Sequence, residues 1–173
     1  MPASADPVGD GPGFTVLTSA SRRRGAKIHR RLSSGGFESA DYDSETWWRA
    51  AWIPLVSFDD MVAKVVPLQE QQHSVVILGK TKDGVDLSQP VRRKKRGVGA
   101  AFTDALVRVL PIDLDNTRAD HLDVIGDPGG AIQYAIDEVA EHAPELEGAS
   151  CLAIFSSSAG VKDTTTAKLR LWY

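Results

Sequence analysis

The chain has 173 residues, 42% of them hydrophobic, a net charge of −3 and a single cysteine. That is one domain's worth of sequence with apolar content enough for a core, and no apolar run approaches the roughly 20 residues that span a bilayer. Cys151 alone rules out an internal disulfide and a Cys-based zinc cluster, and residues 1–13 lack the apolar stretch of a secretory signal, so the expected setting is a reducing cytoplasm.

Taken in chain order, residues 1–13 are rich in Pro, Gly, Ala and Asp and predict a disordered tail, leaving 14–173 as the folded domain. Residues 14–18 and 28–32 predict short strands that bracket a basic loop as a hairpin, and Ser33-Ser-Gly-Gly36 predicts a turn. Trp47, Trp48 and Trp52 follow, and read as a core or subdomain contact rather than a stacking platform for bases. Ser57 with Asp60 three residues on caps a helix whose apolar face is Phe58, Met61, Val62, Val65 and Val66, and Pro67 stops it. Residues 74–78 (SVVIL) predict a β-branched strand ending in a polar turn over 79–84; its Gly79-Lys80 pair lacks the spacing of a phosphate loop.

A strand over 106–114 then ends in Asp113 and Asp115. Side chains two apart on a strand share a face, so both carboxylates can grip one cation. Mg2+ or Mn2+ is the expected ion, because hard cations prefer oxygen ligands and leave positions for substrate phosphates. Two acids at the solvated mouth of a sheet is the competing reading. Asp127-Pro128 opens a second helix with Ile132, Ala135, Ile136, Val139 and Ala140 as its buried stripe and Pro144 as its end. Residues 151–155 predict an apolar strand, with Cys151 as a buried structural thiol, running into the turn Ser156-Ser157-Ser158-Ala159-Gly160. The alternating run 168–173 (KLRLWY) predicts a last strand.

Charges are sorted along the chain. Arg22, Arg23, Arg24, Lys27, Arg30 and Arg31 precede Glu38, and Arg92, Arg93, Lys94, Lys95 and Arg96 form a second basic block. Beyond the aspartate pair the sign reverses. Such sorting permits a basic groove that attracts a polyanion, the alternatives being solvated loops and, for the second block, nuclear localisation. Helices alternating with strands argue for an α+β or α/β sheet domain. The aspartate pair, the serine turn and Arg170 all fall close to strand ends, where hydroxyls, backbone N–H groups and a guanidinium can meet phosphate.

Together Thr15-Val-Leu-Thr18, Ser57-Phe-Asp-Asp60, the SVVILGK strand, the hydrophobic-DLDN segment, the amphipathic helix and CLAIFSSSAGVKD…KLRLWY resemble the catalytic domain of archaeo-eukaryotic-type primases, closest to the primase-polymerase domains of plasmids, phages and integrated mobile elements. The resemblance covers most of the chain after Gly13, its N-terminal part of such a domain. It implies an α+β, RRM-like catalytic sheet flanked by helices and incomplete at its C-terminus. It implies Mg2+ or Mn2+ on Asp113 and Asp115, triphosphate oxygens on Ser156, Ser157, Ser158 and Arg170, and nucleic acid backbones on the basic blocks. The implied reaction is template-directed nucleotidyl transfer on single-stranded DNA from nucleoside triphosphates, releasing pyrophosphate, with a helicase-like ATPase as a partner in the same or a neighbouring chain.

Two departures qualify the expectation. The family's second motif carries a histidine where Arg170 stands, and arginine keeps its charge and cannot exchange a proton at neutral pH. The family's third motif supplies another aspartate on a later strand, and none follows Tyr173 in this sequence. The readings are therefore a catalytically incomplete primase-derived fragment, a functional enzyme that borrows its missing ligand from a partner or from Asp120 or Asp123, a non-catalytic nucleic-acid-binding or interaction module, and, last, a nucleotide-sugar glycosyltransferase. His29, His73, His121 and His142 lack metal-ligand spacing; His121 alone is a candidate accessory ligand.

Overall fold

The computed structural model describes residues 11–105, 107–161 and 163–173, so most of the expected tail lies outside the described residues. The elements run β1 (Gly13–Ser19), β2 (Ile28–Arg31), β3 (Phe37–Ala40), β4 (Trp47–Pro54), α1 (Phe58–Val65), β5 (Ser74–Ile77), β6 (Lys80–Thr81), β7 (Val91–Arg92), β8 (Phe102–Thr103), β9 (Pro111–Arg118), α2 (Pro128–His142), β10 (Leu152–Phe155) and β11 (Thr166–Trp172). Short 3-10 turns, Val66–Glu70 and Pro144–Leu146, follow the two helices. The architecture is mixed α+β, as expected, and its strands pair antiparallel. No helix among the described residues is long and apolar enough to cross a membrane. Two compact units emerge: among the described residues one comprises 11–26 with Tyr42–Arg108, the other Lys27–Asp41 with Val109–Tyr173.

The first unit is built on β1, whose residues are buried on both faces. It is the second strand of an antiparallel sheet in the order β5-β1-β4-β7. Leu17, Trp48, Val91, Ala101 and Phe102 form the core, with Val75 and Ile77 packed on them. Gly13 opens β1 because a Cβ there would meet the Ile53 carbonyl and lie 2.7 Å from the Trp52 ring. The expected hairpin between 14–18 and 28–32 does not form. β1 pairs instead with β4 and β5, and β2 pairs with β3 across the Ser33-Ser-Gly-Gly36 turn, which is the shorter loop to close. Ser57 caps α1 by accepting from the Asp60 N–H. α1 ends at Val65, just before Pro67, as expected; Pro67 then takes an early position of the 3-10 turn that follows, where its missing N–H costs nothing.

In the second unit β9, α2 and β10 form a split β-α-β: β9 and β10 both run antiparallel to β11, which lies between them in the order β10-β11-β9. Ala131, Ala135 and Val139 of α2 pack with Ala167, Leu169 and Leu171 of β11. Asp127 caps α2 by accepting from the Gly130 N–H at 2.9 Å, and Pro128 takes the first turn, as the sequence predicts. The strand expected over 106–114 begins only at Pro111 and continues to Arg118. Leu110 and Tyr173 exchange backbone hydrogen bonds just outside it. The Ile28–Ala40 hairpin is held by Lys27 with Asp41 and by His29 Nδ1 with the Ser39 hydroxyl at 2.7 Å.

Candidate functional site

Alternation along β11 decides what the sheet presents on each side. Ala167, Leu169 and Leu171 go to the helix side, and Lys168 and Arg170 to the opposite face. On β9, Ile112 and Leu114 join the core, so Asp113 shares the outer face with Arg170, directly across from it in register. The consequence is a two-pronged ion pair, with Arg170 Nε 2.5 Å from Asp113 Oδ1 and Nη2 2.8 Å from Oδ2. The side chains are 43% and 58% exposed, so water screens the pair and its net worth is small. Arg170 also lies over the Trp172 ring at 5.9 Å, which steadies the guanidinium.

Asp115 is placed by an irregularity in the pairing. Leu169 opposes Leu114 and Ala167 opposes Thr117, so Lys168 alone faces two residues, Asp115 and Asn116. This is a β-bulge, which bends a strand and re-aims a side chain. The same Lys168 accepts, at its carbonyl, a 2.8 Å hydrogen bond from the Ser156 N–H. One row of the sheet therefore reads Ser156, Lys168, Asp115, and the next reads Ile154, Arg170, Asp113. Lys168 belongs to this constellation although the sequence reading overlooked it; KLRLWY puts it on Arg170's face, and that alternation was the available signal.

The serine turn is a built loop rather than a slack one. The Ser156 and Ser158 hydroxyls lie 3.1 Å apart, and the Ala159 N–H donates to the Ser156 carbonyl at 3.0 Å. Ser157 is exposed. Gly160 sits at φ +67°, a left-handed conformation that favours glycine. Beyond the turn, Asp163 accepts from the Thr165 N–H and from the Thr165 and Thr166 hydroxyls at 2.6 to 2.8 Å, with Arg118 3.9 Å away. The two threonine hydroxyls above all hold its carboxyl down to about 2.

Asp123 and His121 have structural duties. Asp123 accepts from the Ile125 and Gly126 N–H groups, which makes it a turn residue and a poor substitute ligand. His121 sets its ring edge against Tyr134 at 5.3 Å. Burial pushes the Cys151 thiol up, consistent with a structural role.

Among the described residues no group of three or more His, Cys, Asp or Glu side chains could hold a metal. The donors near the outer face are two carboxylates, one of them engaged by Arg170. That set suits Mg2+, which commonly takes one or two carboxylates together with substrate phosphates rather than a closed protein cage.

The basic residues of the first unit have separate settings. Glu45 accepts from the Ser19 and Ser21 hydroxyls, each at 2.5 Å, and from the Thr46 and Trp47 N–H groups; the serine bonds above all hold its carboxyl far below the ordinary range. Arg24 pairs with Asp43 at 3.5 Å, and Arg23 donates to the Ser44 carbonyl at 2.6 Å. In the second block, Lys95 pairs with Asp104, and Arg92 lies over the Trp47 ring at 5.0 Å. Arg93, Lys94 and Arg96 are exposed. Comparison with protein-family models, curated proteins and solved structures finds no match for the chain.

Proposed function

We propose that the outer face of the β10-β11-β9 sheet binds a nucleoside triphosphate with a divalent cation, and that the chain is a primase-like nucleotidyltransferase domain acting on a single-stranded DNA template. One observation carries the reading: the cross-strand register sets two metal-compatible carboxylates, Asp113 and Asp115, beside two cations, Lys168 and Arg170, and the Ser156 turn. Acids for a cation next to cations and hydroxyls for phosphate is the pairing that phosphoryl chemistry needs. The split β-α-β supports an RRM-like sheet, of which it would be one half.

In this reading Mg2+ or Mn2+, when bound, offsets triphosphate charge and lowers the pKa of the attacking hydroxyl. Asp113 and Asp115 hold the ion, Arg170 and Lys168 take triphosphate oxygens, and the Ser156, Ser157 and Ser158 segment offers hydroxyls to the same group. Arginine at position 170 stabilises charge and orients; it transfers no proton. Dinucleotide synthesis on single-stranded DNA with Mg2+ or Mn2+, abolished by Asp113→Ala with folding intact, is the expected result. Absence of synthesis by the folded wild-type chain overturns the catalytic reading.

The Arg170–Asp113 pair favours one second reading. A carboxylate kept by its guanidinium belongs to a sheet that binds nucleic acid or a replication partner without catalysis. Nucleic acid binding indifferent to Asp113→Ala, with no metal-dependent triphosphate binding, would select it.

A further inference from the structure

Trp47 and Trp48 are neighbours in sequence and opposites in setting. Trp48 is 6% exposed in the first unit's core, whereas Trp47 is 47% exposed. Strand alternation sends Trp47 to the other face of β4, where it stands in register with Arg92 of the edge strand β7 and under its guanidinium. Of the three tryptophans expected to make a core or subdomain contact, Trp48 is in the core and Trp47 is exposed. Trp47 and Arg92 line an open cleft of about 460 Å³ with Val85, Pro90 and Val98, the last 97% exposed. Asp86 also borders it, its carboxylate accepting from the Ser88 N–H at 2.9 Å.

An exposed indole, a planar cation and aliphatic walls make a surface for a flat aromatic group. The size falls within the range of small-ligand sites, about 300 to 1,000 Å³. The chain leaving the cleft carries Arg93, Lys94, Lys95 and Arg96; Lys95 is ion-paired with Asp104, which Arg96 also attracts, and Arg93 and Lys94 are exposed. The cleft and these cations together match a ligand with aromatic faces joined by an anionic backbone. Duplex hides its base faces in the stack, and an acidic peptide lacks regularly spaced aromatic groups. A single strand supplies both.

We propose that this cleft binds single-stranded nucleic acid, with one base stacked at Trp47 and the flanking phosphates on Arg93, Lys94 and Arg96. The inference rests on the proposed function for the strand's role as template, but its site uses residues of the other unit and is tested without metal or triphosphate. The test is fluorescence anisotropy of a labelled oligothymidylate of about 16 nucleotides with the full chain across a salt titration. Trp47→Ala should weaken binding roughly tenfold and Trp47→Phe less. Joint replacement of Arg93, Lys94 and Arg96 by Gln should flatten the logarithmic salt slope by about 2. Val98→Asp, at a position too exposed to disturb folding, should weaken binding by placing a carboxylate at the lip. Wild-type affinity in both Trp47→Ala and Val98→Asp, or preference for duplex or an acidic peptide over the single strand, would overturn the proposal.

Discussion

The chain arranges its arginines in two contrasting ways. On β11 of the second unit, Arg170 stands across from an acid and is held by both of its oxygens. On β7 of the first unit, Arg92 stands across from an indole and lies over its ring, and the cations after it are largely unanswered by acids. Both are cross-strand pairs set by register, but they prepare different chemistry. The first is a charge pair that a cation and a phosphate could separate and share; the second is a stacked pair of indole and guanidinium, with no acid to be displaced before an anionic ligand arrives. A site of the first kind should bind its two components together, and one of the second kind should bind at once and mainly by charge and stacking.

The contrast can be broken most forcefully through the packing that sets the register. Leu171 is fully buried against α2, and Leu171→Ala should cost about 2 to 5 kcal/mol in urea unfolding, with the Asp113–Arg170 alignment lost before the fold is. A cost below that range would mean the helix is not what holds β11 in place.

The loop that carries the serines gives the next test. Asp163 has its carboxyl lowered to about 2 by the Thr165 and Thr166 hydroxyls and the Thr165 N–H, against an ordinary value near 4. A depressed folded value stabilises above the unfolded pKa and is lost as pH falls through the folded one. Stability should therefore drop between about pH 4 and pH 2, and Asp163→Asn should remove that part of the profile. An unchanged acid limb would show that the loop is anchored otherwise.

The smallest effect is the ion pair's own. A double-mutant cycle with Asp113→Asn and Arg170→Gln should give a coupling of about 0.2 to 1 kcal/mol, because both side chains are widely exposed. A larger coupling would argue that the pair is structural and not available for exchange.

Much of this was legible in the sequence where the signal is local. The Asp127-Pro128 cap and the stripe of Ala135 and Val139 mark α2, and Ser57 marks α1, because a helix satisfies its backbone within its own segment. Strand partners are another matter: β1 pairs with β4 across more than twenty intervening residues, and no pattern in residues 14–18 names that partner. The bulge opposite Lys168 is likewise a property of two strands, so the spacing of Asp113 and Asp115 predicted their common face but not Lys168 beside them. Trp47 and Trp48 were readable as alternating residues, but which of them faced the core depended on where Val91 and Arg92 would pair.

The central claim is that Asp113 and Asp115 accept a divalent cation together with a triphosphate. Titrating Mn2+ into the chain, with and without a non-hydrolysable nucleoside triphosphate, and following free Mn2+ by electron paramagnetic resonance, tests it most directly. The expected result is weak Mn2+ binding alone, at least tenfold tighter with the triphosphate than the triphosphate by itself provides, about 1.4 kcal/mol, and lost in Asp113→Asn. Mn2+ uptake by the mixture no greater than that of free triphosphate, or unaffected by Asp113→Asn, would contradict it.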